Sequence, residues 1–113
     1  MNDCIFCKII KKEIPSTTVY ENEFVYAFRD LHPQSKQHIL LVPKQHVASV
    51  METDTNSKTL KHVFDAVKEI AKKEKMDPSG FRVVVNNGPD AGQTVFHLHF
   101  HILGGERLSD KMA

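Results

Sequence analysis

The chain has 113 residues, 41% of them hydrophobic and 26% charged, and fifteen basic against fourteen acidic residues give a formal charge of +1. That length suits one compact domain, residues 1–113, and the composition lies far from disordered or collagen-like extremes. The charge balance offers no net pull on a phosphate backbone, which argues against a nucleic-acid polymer as partner but not against a single nucleotide. Apolar runs fall far short of the roughly 18 residues of a membrane span, and the charged opening MNDCIFCKIIKKE has no signal-peptide pattern. With Cys4 and Cys7 as the only cysteines, too close to staple a long loop, the expected setting is cytoplasmic, away from membranes.

Ile5, Phe6, Ile9 and Ile10 recur at helical spacing behind Asp3, an acceptable N-cap, and Pro15 bars extension, so a short helix is predicted over 4–11. TTVYE (17–21) and FVYAFR (24–29) are β-branched and aromatic, and Asn22 and Glu23 between them suit a tight hairpin. LHPQSKQ reads as a loop, and HILLVP (38–43) as a buried central strand stopped by Pro43. Between 55 and 75, Leu60, Val63, Phe64, Val67, Ile70 and Ala71 mark one face of a long helix. DPSG breaks the chain, FRVVV (81–85) predicts a strand, NNGPDAGQ a turn-forming loop, and VFHLHFHIL (95–103) the last strand. Together these make an α+β domain: a five-stranded antiparallel sheet with one long and one short helix, one sheet face buried under the long helix. The charge clusters at 11–13 and 72–75 read as solvated helix ends.

Three of the seven histidines, His97, His99 and His101, alternate with Leu98, Phe100 and Ile102. On a strand this puts the histidines on one face, about 7 Å apart, and the apolar residues on the other, in a core. Imidazole can act as nucleophile, acid, base or metal ligand near neutral pH. One metal held by all three is disfavoured, because ligands must converge to about 2–2.2 Å while strand neighbours stand parallel and apart. The loop NNGPDAGQT has glycines that let backbone N–H groups approach an anion, Asp30 can accept bonds from a cis-diol, and Cys4-x-x-Cys7 is half of a tetrahedral metal site. A thioredoxin-like reading of that pair would need a preceding strand and a βαβ context.

HLHFHIL resembles the histidine triad signature. DCIFCKIIKKEIPS, FRDLHPQSKQHILLVPKQHV and NNGPDAGQTVFHLHFHILGG are similar, in order and over nearly the whole chain, to the Hint branch of the histidine triad (HIT) superfamily. The resemblance implies a homodimer with joined sheets, and attack on an α-phosphorus by His99, which forms a nucleotidyl-histidine that water hydrolyses. A nearby backbone carbonyl would hold the second nitrogen of His99, and His101 would contact phosphate or protonate the leaving group. It also implies phosphate contacts from Asn86, Gln93 and Thr94, with Gly92 permitting the approach; many relatives have serine where Thr94 stands, and the hydroxyl is kept. Asp30 and Leu31 would hold ribose, and Ile5, Phe6, Ile9, Ile14 and Phe28 would surround a base, with purines favoured by stacking area. His46 and His97 would complete a closed, structural Zn2+ site with Cys4 and Cys7. His38 would lie near the triad without a chemical step, and His32 and His62 read as surface residues.

The implied activity is hydrolysis of purine nucleoside 5′-phosphoramidates or related NMP–X conjugates. The alternatives are a dinucleoside polyphosphate hydrolase or nucleotidyltransferase, and a nucleotide-sensing module without turnover. The ending GGERLSDKMA lacks the tryptophan and proline-rich tail of many Hint relatives, so a substrate preference inferred from that tail does not carry over.

Overall fold

The computed structural model describes residues 3–111. The first helix, α1, is Ile5–Ile10. Its N-cap is Cys4 rather than Asp3: Cys4 has the extended backbone of a cap and its Sγ accepts from the Cys7 N–H, so a thiol fills the role expected of a carboxylate. Strands β1 (Thr18–Glu21) and β2 (Val25–Arg29) form the hairpin. The Asn22 side-chain oxygen accepts from the N–H groups of both Phe24 and Val25, which draws Phe24 into the turn and makes the connection one residue longer than expected.

β3 is Gln37–Pro43, α2 is Thr59–Lys73, β4 is Arg82–Val85 and β5 is Phe100–Gly104. All pairings are antiparallel and the sheet order is β1-β2-β3-β5-β4. Upstream of α2, Asp54 accepts from the Asn56 N–H and Ser57 donates to the Asp54 carbonyl; these local bonds compete with helix and delay its start to Thr59. At its other end Met76 N–H bonds the Ala71 carbonyl and Lys75 N–H that of Lys72, while Lys75 takes a left-handed φ of 60°. This is a Schellman closure with lysine in the position that favours glycine.

The two sheet faces bury different partners. Val63, Ala66, Val67 and Ile70 of α2 pack on Val25, Ala27, Ile39, Leu41, Leu98, Phe100 and Ile102. On the opposite face Phe6 and Ile9 of α1 pack on Tyr26, Phe28, Leu40 and Val42. Leu98, Phe100 and Ile102 therefore sit in the core as their alternation with histidine requires.

The last strand is shorter at its start than the predicted 95–103. Regular pairing begins at Phe100, opposite Leu41 and Val85. Further back the ladder would meet Pro43, which has no N–H to give. Leu98 N–H bonds the Val47 carbonyl instead, so His97, at a bend, and His99 lie in an irregular lead-in to β5 and only His101 is within it. Among the described residues no helix is long and apolar enough to cross a membrane.

Candidate functional site

Tertiary contacts turn the histidine row inward. His97 is fully buried and His99 is 8% exposed, beneath α1, whose Phe6 ring meets both edge-on with centroids 6.0 and 5.1 Å away. His99 and His101 cross edge-on at 5.2 Å. In β5, His101 stands in a cross-sheet row with Leu40 and Phe28, which places the apolar patch under α1 beside the histidines.

The hydrogen bonds assign the protons. A backbone carbonyl only accepts, so His99 Nδ1–H donates to the His97 carbonyl at 2.8 Å, and Nε2 keeps its lone pair. Burial holds the His99 pKa below the ordinary histidine value, against the opposing pull of the bond to the His97 carbonyl and the charge of Asp30. His101 is pushed down to about 4, by burial first and then by its His99 and His38 neighbours. The row is therefore neutral at pH 7, as a nitrogen nucleophile requires.

His97 faces a second cluster. Its Nε2–H donates to the Pro43 carbonyl at 2.8 Å, which turns the Nδ1 lone pair toward Cys4 Sγ at 3.4 Å, Cys7 Sγ at 3.5 Å and His46 Nδ1 at 3.1 Å. Cys7 Sγ is also 3.4 Å from His46 Nδ1, and the four ligand atoms all lie within 4.8 Å of one another. Tetrahedral zinc with ordinary bond lengths separates sulfur and nitrogen ligands by about 3.5 Å and two nitrogens by about 3.3 Å. The donor set fits zinc in kind and spacing, and the Pro43 carbonyl supplies the outer hydrogen bond that fixes a ligating histidine. These residues could hold the metal by ligands from α1, the segment after β3 and the lead-in to β5, so its chemistry would be to tie three chain segments together.

The loop before β5 is built on glycines. Gly88 and Gly92 take φ of 85° and 82°, bracketing a 3-10 turn at Pro89–Ala91. Thr94 at its end is exposed, and Asn86 lines a cleft with His101, His38, Gln34, Val84 and Leu103. Gln93 is engaged differently from the other residues expected there. Its amide donates to the carbonyls of Ala48 and Val95 and its oxygen accepts from Gly88 N–H, so both its hydrogens fasten the loop. Asn87 adds a bond from Val50 N–H.

Of the residues expected around a nucleoside, Phe6, Ile9 and Phe28 are buried together, with Ile14 packed at their margin. Ile5 and Leu31 are 46% and 88% exposed. Asp30 accepts from His32 N–H with one oxygen and places the other 3.5 Å from His38 Nε2. His38, placed near the triad by resemblance and given no chemical step, is buried and bonded to His101. His62 stacks on Phe24 at 3.6 Å, clasping α2 to the hairpin.

Fold and site thus define a small α+β protein with a neutral histidine row, buried at His97 and His99 and half-buried at His101, beside a Cys2His2 cluster. The HIT domain family matches residues 11–108. An uncharacterised HIT-like protein of Synechococcus elongatus is 48% identical over 108 residues, 95% of this chain and 94% of its own. A 14 kDa zinc-binding protein of Zea mays is 44% identical over 108 residues, covering 93% of this chain and 84% of its own. A solved structure described as a HIT family hydrolase from Clostridium thermocellum superimposes with a TM-score of 0.94 at 42% identity, covering 100% of this chain and 99% of that one. The chain belongs to the HIT-domain family.

Proposed function

We propose that residues 1–113 act as one domain that binds a purine nucleotide and hydrolyses the bond between its α-phosphorus and a leaving group X, with nucleoside 5′-phosphoramidates as the preferred class. The observation that carries this reading is the His99 proton: with Nδ1–H tied to the His97 carbonyl, Nε2 is the free, unprotonated atom of a neutral ring. In the first step Nε2 bonds to phosphorus as the P–X bond breaks. In the second, water attacks the nucleotidyl-histidine and restores His99, so the sum is NMP–X plus water giving NMP and HX. His101 and Asn86 border the reacting phosphate, and Gly92 and Thr94 lie on the loop facing it. Gln93 acts by holding that loop. Asp30 and Leu31 meet the ribose, and Ile5, Phe6, Ile9 and Phe28 shape an apolar slot for the base.

The hydrolase named among the solved relatives supports the reaction type, and the zinc-binding relative supports a structural zinc on Cys4, Cys7, His46 and His97. A closed set of four ligands leaves no open position for water, so chemistry falls to His99. We also propose a homodimer in which two sheets join. The test is turnover of a fluorogenic adenosine phosphoramidate by wild type and His99→Ala, with AMP release followed in parallel. Turnover lost in His99→Ala, with AMP still bound, is the expected result; comparable turnover by the variant overturns the reading.

A further inference from the structure

Asp30 begins the loop, residues 30–36, that joins β2 to β3, and the two ends of this loop share one fastening. Arg29, the last residue of β2, donates from Nη1 to Oε1 of Gln37, the first residue of β3, at 3.1 Å. The other arm of the guanidinium, Nη2, donates to Glu74 Oε1 at 2.5 Å, and Gln37 Nε2 donates to the Glu74 backbone carbonyl at 3.1 Å. Arg29, Gln37 and Glu74 thus close a ring of three bonds, which ties both ends of the loop to the residue that caps the C-terminus of α2. A further bond, from Lys36 N–H to Glu106 Oε2 at 2.8 Å, holds the loop to the turn after β5.

Local preference would not put these residues here. A carboxylate at a helix C-terminus opposes the macrodipole, and Lys75 beside it holds a left-handed φ of 60°. Arg29 offsets the first cost with a planar fork that serves two acceptors at once, which the single ammonium of a lysine does not do in fixed geometry. Strand alternation places Arg29 on the α2 side of the sheet with Ala27, while Asp30 follows Phe28 to the opposite side, where its carboxylate lies 3.5 Å from His38. Asp30 Oδ1 accepts from His32 N–H at 2.8 Å, so the carboxylate is aimed by the same loop that Arg29 fastens from behind.

We infer that Arg29 is a positioning residue for sugar recognition: through the ring with Gln37 and Glu74 it fixes the loop that aims the Asp30 carboxylate, acting from the far side of the sheet. This rests on the reading of Asp30 as the acceptor for ribose. A carboxylate is acceptor-only and takes both O–H donors of a cis-diol when its oxygens face them squarely. A 2′-deoxynucleotide brings one donor fewer and gains less from that alignment. Arg29 therefore sets how strongly the site prefers ribonucleotides to 2′-deoxyribonucleotides, without touching either.

Two measurements test this. The first is amide hydrogen exchange of wild type and Arg29→Met, which needs no ligand. The N–H groups of His32 and Lys36 should exchange about tenfold faster or more in the variant, with Leu41 in the middle of β3 unchanged; unchanged protection at His32 overturns the inference. The second is calorimetric binding of AMP and 2′-deoxy-AMP, which needs no turnover. Wild type should prefer AMP about tenfold or more, and Arg29→Met should cut that preference to about threefold or less by weakening AMP alone. Arg29→Lys, which keeps a cation beside Glu74 but not the fork, should fall between them. The double variant Arg29→Met with Glu74→Gln strands no carboxylate, so it tests the same loss if Arg29→Met does not fold. A preference left intact in the folded variants, or equal weakening of both ligands, would make Arg29 merely structural. Wild type that binds both nucleotides equally, with His32 still freed in Arg29→Met, would instead remove the ribose reading of Asp30 and leave the fastening of the loop standing.

Discussion

Phe6→Ala tests whether α1 is the lid that keeps the histidine row dry. Phe6 is 7% exposed and touches Phe28, His97 and His99 edge-on at 5.7, 6.0 and 5.1 Å. Truncating a buried phenylalanine costs about 3–5 kcal/mol, of which edge-to-face contacts supply about 0.5–1.5 kcal/mol each. α1 has six residues, too few to be stable alone, so the variant is expected to lose its docking rather than keep an empty cavity. That limits the loss to about 3–4 kcal/mol, or about 10–20 °C in Tm for a chain of this size. Phe6→Leu keeps most of the buried area and loses only the ring contacts, so about 1–2 kcal/mol is expected. The assay is the urea midpoint and m-value of both variants with zinc supplied, alongside phosphoramidate turnover. A Phe6→Ala loss under about 1 kcal/mol, or a folded variant with unchanged turnover, would refute the role given to α1.

Lys75→Gly should raise stability by about 0.5–1 kcal/mol, read as a higher Tm, because Lys75 holds a left-handed φ of 60° that glycine adopts freely. Stability should fall between pH 7 and pH 5. His101 prefers its neutral form when folded, down to about 4, while the unfolded ring takes a proton near 6.5, so stability is full above 6.5 and is lost on acidification; His101 contributes up to about 3 kcal/mol, and a urea midpoint that holds or rises over that range contradicts it. Gln93→Ala should cost about 1–3 kcal/mol and loosen residues 87–93 in hydrogen exchange, since three backbone groups lose their partner; retained protection with weakened AMP binding would give Gln93 a direct phosphate contact instead. Cys7→Ser should lower zinc content in elemental analysis and reduce Tm, and wild type that is folded and active without zinc would remove the structural metal.

Local pattern was enough to read much of this molecule. The spacing from Leu60 to Ala71 announced the buried face of α2, and the alternation of Leu98, Phe100 and Ile102 with histidine announced a strand with two different faces. What escaped was decided by partners distant in sequence. Pro43 ends the ladder that residues 95–99 would otherwise have joined, and Cys4, not Asp3, caps α1, with its sulfur also drawn to His97 in the Cys/His cluster. Gln93 reads as a phosphate donor by its neighbours, yet the carbonyl of Ala48 takes one of its hydrogens. Resemblance alone put His38 near the triad; its 2.9 Å bond to His101 arises from the pairing of β3 with β5. His46 could be assigned only by resemblance; its place beside Cys7 and His97 arises from how the segment after β3 folds back.

The central claim is that His99 Nε2 becomes covalently bonded to the nucleotide. Rapid-quench intact-mass spectrometry of the protein with an adenosine phosphoramidate, followed by peptide mapping, tests it most directly. The account predicts a transient mass increase of one adenylyl group, located on His99 and absent from His99→Ala. Turnover that proceeds with no adduct on the wild-type protein, and persists in His99→Ala, would show that water attacks phosphorus directly and contradict the mechanism.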